Sequence, residues 1–555
     1  MLRPLKTTLP LLAVLFMTVS CSSNPAYGGY SVNFLSQEDE LDIGGQAAQQ
    51  SIQEDGLFKD EKLQAYYKNL IQKLVKVSDR QDINYDPLLL DNGDLNAWAA
   101  PGYIAANRGV FSMVNSEAEL AAVLSHEIGH IAAHHTARQI SSRQILGGLM
   151  IATAVAATAT TRDANAGRAA IEIGLLMGGV ALAGFGRDYE READKLSLRY
   201  MKKAGYDPRE AYNLFHTFTE EEARDKQVLP LLYGIEYGRS KSYNIMASHP
   251  APKERMNYVK NMVGKPDVPA VERSEANDND TIGRDRYLRM IDGTPYGIRT
   301  AKGIVTRTRY INPGARFALS LPDGLWMQYN YGLKQWDGVD VASGLRITIG
   351  TTFSQERRSA EEVLYSAVAG VKDVERMTVD GHEIVGGTHL VKRPKPNMFM
   401  PTYIGQERIF VIAANAADNK TEDAHEYEQE GHRFYFLKVL TGLDEPRFTL
   451  RDALIPSKKE KAFDAKKTDM TPAKDLARRI VASFKAFDVK TAKAVEPLRI
   501  KVHTVEPGET VDSLAEKMAI GAYRKETFIA MNGLPDGYVL KPGQKVKLVI
   551  DPNTI

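Results

Sequence analysis

The chain has 555 residues, and its 71 Lys plus Arg against 70 Asp plus Glu give a formal charge of +1. That length accommodates about three to four domains of ordinary size. The balanced charge excludes a global electrostatic attraction to nucleic acid, so we expect no nucleic-acid partner.

Residues 1–20 are predicted to be a secretory signal peptide. Arg3 and Lys6 provide a basic start, and the apolar run behind them is too short to span a bilayer. The single cysteine, Cys21, follows small residues at the expected cleavage point. This arrangement is similar to a bacterial lipobox, with Thr18 where Leu is usual, and ordinary cleavage at small residues is the alternative.

We therefore expect Cys21 to carry a lipid anchor, with residues 21–34 as a small, polar tether. Ser22 rather than Asp follows the cysteine, which resembles the sorting signal of outer-membrane lipoproteins in a Gram-negative cell. The predicted location is the bacterial periplasm, anchored to the outer membrane.

Residues 35–265 are predicted to form the catalytic domain, and their most informative segment ends in His-Glu-Ile-Gly-His. Ser116 and Glu119 form a capping-box pattern, which predicts that a helix begins there. His126 and His130 then share one helical face, where two imidazoles can reach a single zinc ion. The adjacent Glu127 can take a proton from attacking water and later deliver it to a leaving amine.

A catalytic zinc ion needs a third protein ligand. His134 lies about 12 Å along the helix axis from His126 at 1.5 Å per residue, so one ion cannot reach both ends of this series. We expect His134 and His135 to flank the helix end instead.

An acidic second helix is the better source of the missing ligand. Glu190 and Asp194 are one turn apart on a shared face, whereas Glu192 points to the opposite side. The spacing alone does not choose between Glu190 and Asp194.

Two apolar runs, Ile145 to Thr160 and Ala169 to Phe185, lie between these helices. Each is shorter than the roughly 20 residues that a spanning helix needs. We expect a helical hairpin packed on the catalytic domain, with a membrane-dipping hairpin as the alternative.

The combination of His126-Glu-Ile-Gly-His130 with Glu190-x-x-Ala-Asp194 resembles the gluzincin metallopeptidase family of the CAAX prenyl protease, HtpX and BepA type, in its soluble periplasmic BepA-like branch. The resemblance covers about residues 35–262 and implies a mainly α domain with a small edge-strand sheet. It implies one zinc ion per chain with Glu190 as third ligand, Glu127 as general base, and Asp194 orienting a ligand.

A second motif, which begins with Asn96, Ala97, Trp98 and Ala99, looks like the family's strand beside the catalytic cleft. The resemblance implies that these residues bind substrate. Tyr103 stands where the family usually has a second glycine, which leaves open how closely a substrate backbone can approach.

A third motif, Ser248-His-Pro250 with Arg255, looks like the segment that closes the soluble members of the family. The resemblance implies that His249 can fill the open zinc position and hold the enzyme latent, and that Arg255 contributes to substrate binding. The alternative for His249 is a plain loop histidine.

Residues 266–300 are predicted to be a linker, followed by an α+β domain of unknown role over residues 301–490. Short β-rich runs predict strands at Phe317–Leu321, Leu345–Ile349 and Arg408–Ile412, and helical patterns predict helices at Ser359–Val371 and Ala473–Phe487. The segment from Tyr287 to Gly293 also resembles one found after the protease in some bacterial relatives.

The carboxyl-terminal residues 498–551 resemble the LysM module, a small βααβ fold that binds glycans containing N-acetylglucosamine. Pro-Gly turns at 507–508 and 542–543 carry the resemblance. Peptidoglycan is the expected partner, and a spacer or protein-contact role is the alternative.

Together these features predict a zinc metalloendopeptidase of the bacterial envelope that degrades misfolded or misassembled envelope proteins. One rival is an envelope chaperone or assembly factor that uses the protease scaffold with latent hydrolysis. A peptidoglycan hydrolase is the third possibility, and the metal motif resembles protein endopeptidases more closely.

Overall fold

A computed structural model describes residues 20–23, 30–161, 186–233, 249, 252–274, 281–331, 333–354, 356–392, 404–413, 432–441 and 469–553. The chain forms two compact units. The first comprises residues 1–219, 243–291 and 532–535, and the second comprises residues 220–242, 292–531 and 536–555.

Helices dominate the first unit and are short in the second. The α-helices span Gln37–Asp55, Glu61–Val75, Arg108–Met113, Glu117–Ala132, His135–Thr161, 186–203, Glu210–Tyr233, Pro252–Val263, Arg284–Ile291, Ala360–Ala367, Thr471–Ala482, Val489–Ala494, Val511–Ala515 and Arg524–Asn532. Single 3-10 turns lie at Ala270–Glu272 and Thr300–Lys302.

Within the described residues, the strands fall into five small or medium sheets. They are β1 Ser20–Ser23, β2 Tyr30–Asn33, β3 Asp86–Leu90, β4 Ala97–Ala100, β5 Tyr103–Asn107, β6 Ile304–Val305, β7 Arg309–Asn312, β8 Phe317–Ser320, β9 Leu325–Asn330, β10 Gln335–Asp340, β11 Arg346–Ser354, β12 Lys372–Val379, β13 His382–Lys392, β14 Ile404–Ala413, β15 His432–Thr441, β16 Lys485–Ala486, β17 Arg499–Thr504 and β18 Lys545–Ile550.

The helix Glu117–Ala132, here called the motif helix, is the centre of the first unit. It begins where the sequence predicts, because the Ser116 side chain accepts a hydrogen bond from the Glu119 amide. The Glu119 carboxylate accepts from the amide of Asn115 rather than from that of Ser116. Of its side chains only His130 is not buried, so the helix is enclosed on all sides rather than on one face.

A three-stranded sheet lies beside the motif helix, in the order β3, β5, β4. β3 runs parallel to β5, and β4 runs antiparallel to it. β4 is therefore an edge strand of this sheet.

The helix Arg284–Ile291 secures the amino-terminal end of the motif helix, although the sequence assigned its residues to a linker. Arg286 donates two hydrogen bonds to the Glu117 carboxylate, at 2.8 and 2.9 Å. The Tyr287 hydroxyl donates to the carbonyl of Phe111 at 2.6 Å. The first residues of the segment Tyr287–Gly293 thus lie in a helix that packs within the first unit.

The second unit contains an antiparallel seven-stranded sheet in the order β12, β13, β14, β15, β11, β10, β9. Alternate side chains along β14 belong to different cores: Phe410 and Ile412 pack in one core with the helix Thr471–Ala482, and Ile409 and Val411 pack in the other with the helix Ala360–Ala367. This is the period of two expected for a sheet covered on both faces. Strands form at the three segments predicted within residues 301–490. Helices form in both predicted helical segments but are shorter, at Ala360–Ala367 and Thr471–Ala482, and Lys485–Ala486 forms a strand instead of helix.

The carboxyl-terminal residues follow the order β17, two short helices, β18, and the two strands pair antiparallel. Residues 293–294 lie along the other edge of β17 and form backbone hydrogen bonds with it. The amide of Ile500 donates to the carbonyl of Thr294, and the amide of Gly293 donates to the carbonyl of Ile500. Asp323 forms ion pairs with both Arg307 and Arg524. These contacts join the module to the middle region within the second unit.

Candidate metal centre and catalytic site

The motif helix and the helix over residues 186–203 approach each other closely at Gly129. A Cβ atom at that position would lie 3.1 Å from the carbonyl oxygen of Ala193. Only glycine fits there without displacing a backbone, so Gly129 permits the contact that brings the acidic side chains to the two histidines.

Nitrogen and oxygen donors converge where the helices meet. Nε2 of His126 lies 3.0 Å from Nε2 of His130 and 3.3 Å from Oε2 of Glu190. Oε1 of Glu190 lies 3.5 Å from Nε2 of His130. Both histidines and Glu190 thus face one point, and Glu190 rather than Asp194 supplies the nearer carboxylate to His130.

His249 completes the group from a distant part of the chain. Its Nδ1 lies 3.2 Å from Nε2 of His126 and 3.0 Å from each carboxylate oxygen of Glu190. Its flanking residues Ser248 and Pro250 lie outside the described residues.

The donor atoms of these four residues all lie within 4.8 Å of one another, an arrangement able to hold a metal ion. Ligand atoms about 2.0–2.1 Å from a tetrahedral zinc ion are separated by roughly 3.3 Å, close to the spacings between these donors. Imidazole nitrogens and a carboxylate oxygen are ligands that zinc accepts. The donor set therefore fits a zinc ion.

Charge interactions favour the ionised form of Glu190. Burial raises the pKa of its carboxyl, but hydrogen bonds with His126 and His249 outweigh burial and lower it well below the usual range. For His126, burial and the Arg255 charge lower the pKa, whereas contacts with Asp194 and Glu190 raise it, to about 9 overall. Burial holds the pKa of His130 well below its usual value.

Asp194 lies behind His126. Its Oδ1 is 3.0 Å from Nδ1 of His126, and its carboxylate accepts hydrogen bonds of 2.6 and 2.9 Å from Arg255. A carboxylate in this position fixes the tautomer and orientation of the imidazole.

Arg255, predicted to bind substrate, is buried and already paired. It forms the two hydrogen bonds with Asp194, lies 3.1 Å from Oε2 of Glu190, and its guanidinium stacks 4.5 Å from the ring centre of Phe215. These contacts give Arg255 a supporting position behind the donors.

Glu127 is a carboxylate beside the site that is not one of the four donor residues. It is 2% exposed, and its Oε1 lies 3.4 Å from Nε2 of His249 without a hydrogen-bond partner among the described residues. Burial raises its pKa above that of an ordinary glutamate. A carboxyl with a raised pKa is suited to accept a proton and give it back.

The four residues Asn96, Ala97, Trp98 and Ala99 lie at the edge of the small sheet. Three of them begin β4, and Asn96 precedes it, accepting a hydrogen bond from the amide of Asn107. β4 contacts the motif helix, and Trp98 packs partly buried against the core beneath the sheet.

An apolar pocket adjoins the donors on the other side. Glu127, His126 and His249 line its polar end. Its apolar wall is formed by Leu198, Leu214, Phe215, Phe218 and Val259.

The sequence placed His134 and His135 at the helix end, which is confirmed. The motif helix ends at Ala132, His134 adopts a left-handed conformation with φ 53°, and His135 begins the next helix. The sequence did not reveal that His135 contacts His130, because their ring contact depends on the sharp turn at His134.

The predicted helical hairpin lies only partly within the described residues. The first apolar run lies in the helix His135–Thr161, and the second run, residues 169–185, lies outside the described residues.

Cys21, the predicted site of the lipid anchor, lies in β1, where it pairs with Val32. In the described part of the chain, no helix has the length and hydropathy needed to cross a membrane.

Comparison with known proteins identifies two regions. Residues 59–263 match peptidase family M48, and residues 503–549 match the LysM domain. The first match contains the four donors and Glu127, so the site lies in the family-matched region.

Individual relatives carry related names. A "Beta-barrel assembly-enhancing protease" of Escherichia coli is 25% identical over 294 residues, covering 50% of this chain and 56% of the relative. The "Metalloprotease YcaL" of the same species is 26% identical over 40% of this chain and 76% of its own length. "Mitochondrial metalloendopeptidase OMA1" of Schizosaccharomyces pombe is 24% identical over 35% of this chain and 51% of its length.

The chain spans little more than half the length of the first of these relatives, 56%. Two separate regions of the chain nevertheless each match a known family. The middle region between them is rich in β-strands. This protein is multidomain, with a peptidase family M48 domain over residues 59–263 and a LysM domain over residues 503–549.

Proposed function

We propose that this protein is a zinc-dependent metalloendopeptidase of the bacterial cell envelope. The observation that carries the proposal is the convergence of donors from His126, His130 and Glu190 beside the buried carboxyl of Glu127. Catalytic zinc typically has three protein ligands and a fourth position for water, whereas structural zinc is enclosed by four protein ligands. The proposal therefore requires that His249, the fourth donor of the group, can leave.

The chain's own groups account for the proton movements of peptide hydrolysis. Bound zinc supplies a Lewis acid that polarises the scissile carbonyl and lowers the pKa of water. Glu127 takes the proton of the attacking water on its carboxylate and delivers it to the nitrogen of the leaving amine. Its raised pKa supports the first transfer, because a more basic carboxylate accepts the proton more readily. The second transfer remains favourable, because a carboxylic acid is a stronger acid than a protonated amine.

Two supporting roles follow from the contacts. Asp194 orients His126 through its Nδ1, and Arg255 keeps the Asp194 carboxylate ionised and in place. We propose that Arg255 acts on substrate only through these groups, because its guanidinium is already engaged.

Substrates are proposed to bind as extended peptides along β4, through Asn96, Ala97, Trp98 and Ala99. The support is that β4 is an edge strand, and an edge strand offers unpaired backbone groups to a peptide. The apolar pocket beside Glu127 would then favour an apolar side chain next to the scissile bond.

His249 is proposed to regulate this site. Its ring nitrogen lies among the donors, so it can fill the remaining ligand position and keep hydrolysis latent. Movement of His249 away from Glu190 would open the position for water.

The envelope location rests on separate observations. The LysM domain supports binding to peptidoglycan glycan, and the signal with Cys21 supports a lipid anchor in the outer membrane. Cys21→Ser should move the protein from the membrane fraction to the soluble periplasm, since stable anchoring requires more than one acyl chain. Retention in membranes after a high-salt wash would overturn the anchor.

We further propose that the substrates are misfolded or misassembled envelope proteins. A relative is named for enhancing β-barrel assembly, which supports this class. The same name supports the second candidate, an assembly factor or chaperone with latent hydrolysis, and the position of His249 within the donor group favours it specifically.

Cleavage of unfolded outer-membrane protein by the purified full chain tests the proposal. We expect cleavage that a chelator abolishes and zinc restores, with folded barrel protein spared. A metal-loaded chain that prevents aggregation of the same protein but never cleaves it, even as His249→Ala, would support the chaperone instead.

A further inference from the structure

His130 has a second ring nitrogen that faces away from the donor group, and it meets another histidine. Nδ1 of His130 lies 2.7 Å from Nδ1 of His135, with the rings 4.8 Å apart and inclined at 72°. His135 is 4% exposed, so water does not compete for this contact.

His135 is itself held on three sides. Its Nε2 lies 3.2 Å from Oε2 of Glu192, within ion-pair distance but without the alignment of a hydrogen bond. Its ring stacks on Tyr189 at 4.5 Å with an angle of 10°. Glu192 also accepts a 2.9 Å hydrogen bond from Arg138. Glu192 points away from the donor group, and its carboxylate lies between His135 and Arg138.

The proton positions along this chain of groups follow from chemistry. A histidine that offers Nε2 to a metal must carry its proton on Nδ1, so His130 donates from Nδ1. Nδ1 of His135 must then accept, which leaves the proton of His135 on Nε2, toward Glu192. The contact between the two Nδ1 atoms selects these tautomers. The Glu192 carboxylate is an acceptor 3.2 Å from the nitrogen at the far end.

We propose that His135 and Glu192 are positioning residues for the metal ligand His130, forming a relay from carboxylate to imidazole to imidazole. The relay fixes the tautomer and ring orientation of His130 and makes its Nε2 a better donor. The proposal rests on the proposed zinc function. It mirrors the role of Asp194 behind His126, so that each metal-binding histidine has its own support.

The alternative is that His135 has only a packing role in the core. The two roles separate because volume and stacking can be kept while the nitrogens are removed. His135→Phe retains a ring against Tyr189 but removes the acceptor, and His135→Asn returns an acceptor close to the position of Nδ1.

The test is the zinc affinity of the purified full chain, measured by competition with a chromophoric chelator, together with the visible spectrum of the cobalt-substituted protein. Partners behind a metal-binding histidine typically change affinity by about 10- to 100-fold. We expect His135→Phe and Glu192→Ala to weaken zinc binding within that range and to shift the cobalt bands. His135→Asn should recover most of both properties.

Asp188→Ala is the matched control, because Asp188 lies on the same helix as Glu192 and is 73% exposed at its side chain. It should leave both readouts unchanged. An unchanged zinc affinity and cobalt spectrum in His135→Phe would overturn the relay, and Glu192→Ala decides by the same criteria if that variant does not fold. Failure of the wild-type chain to bind zinc would overturn the proposed function itself.

Discussion

Nδ1 of His249 lies 3.0 Å from each carboxylate oxygen of Glu190. The loop histidine is thus in direct contact with the proposed third ligand, whose sequence position is 59 residues earlier. A side chain so placed either blocks the site or assists the reaction, and these roles predict opposite results.

His249→Ala should raise basal proteolysis or self-cleavage while zinc content is unchanged, because three ligands remain and a position for water opens. Turnover measured at matched zinc loading checks this. The exposed Lys253→Ala, on the helix that follows, should behave as wild type. A fall of about a hundredfold or more with intact zinc would instead identify His249 as a donor to the developing oxyanion.

Glu190→Ala should lower bound zinc, because it removes one of three ligand side chains. His126→Ala and His130→Ala should do the same. Metal analysis of dialysed protein is the measurement, and full zinc content in Glu190→Ala would show that another group is the third ligand.

Zinc affinity should rise with pH up to about 9. Contacts with Asp194 and Glu190 raise the pKa of His126 to about 9 against burial and the Arg255 charge, so below that pH zinc must displace a proton. Each pH unit below 9 should therefore weaken binding by about tenfold. Chelator competition between about pH 7 and 9 checks the slope, and a pH-independent affinity there would show that His126 is already neutral in the metal-free protein.

Arg255→Met should destabilise the fold by about 3–5 kcal/mol, because it leaves the buried Asp194 carboxylate without its ion-pair partner. Denaturant unfolding of the metal-free chain is the measurement. If stability is unchanged and only the KM for peptides rises, Arg255 contacts substrate directly, as the sequence alone suggested.

The local features of this site could be predicted from sequence because they depend on helical spacing and capping. The start of the motif helix follows from Ser116, and the shared face of His126 and His130 follows from their spacing of four residues. The orientation of Glu192 away from Glu190 follows from the same periodicity.

The supporting contacts could not be predicted, because they join distant parts of the chain. Arg286 and Glu117 are separated by 169 residues, and no periodicity relates them. His135 meets His130 only because the backbone turns at His134, where a non-glycine residue adopts a positive φ of 53°. The sequence placed His135 at the helix end but did not indicate its contact with His130.

The most direct test of the central claim compares wild type with Glu127→Gln for zinc content and casein cleavage in parallel. Glutamine keeps the size of the side chain but cannot take the proton of the attacking water. We expect equal zinc in both proteins and chelator-sensitive cleavage by the wild type only. Equal cleavage by both proteins at equal zinc content would contradict it.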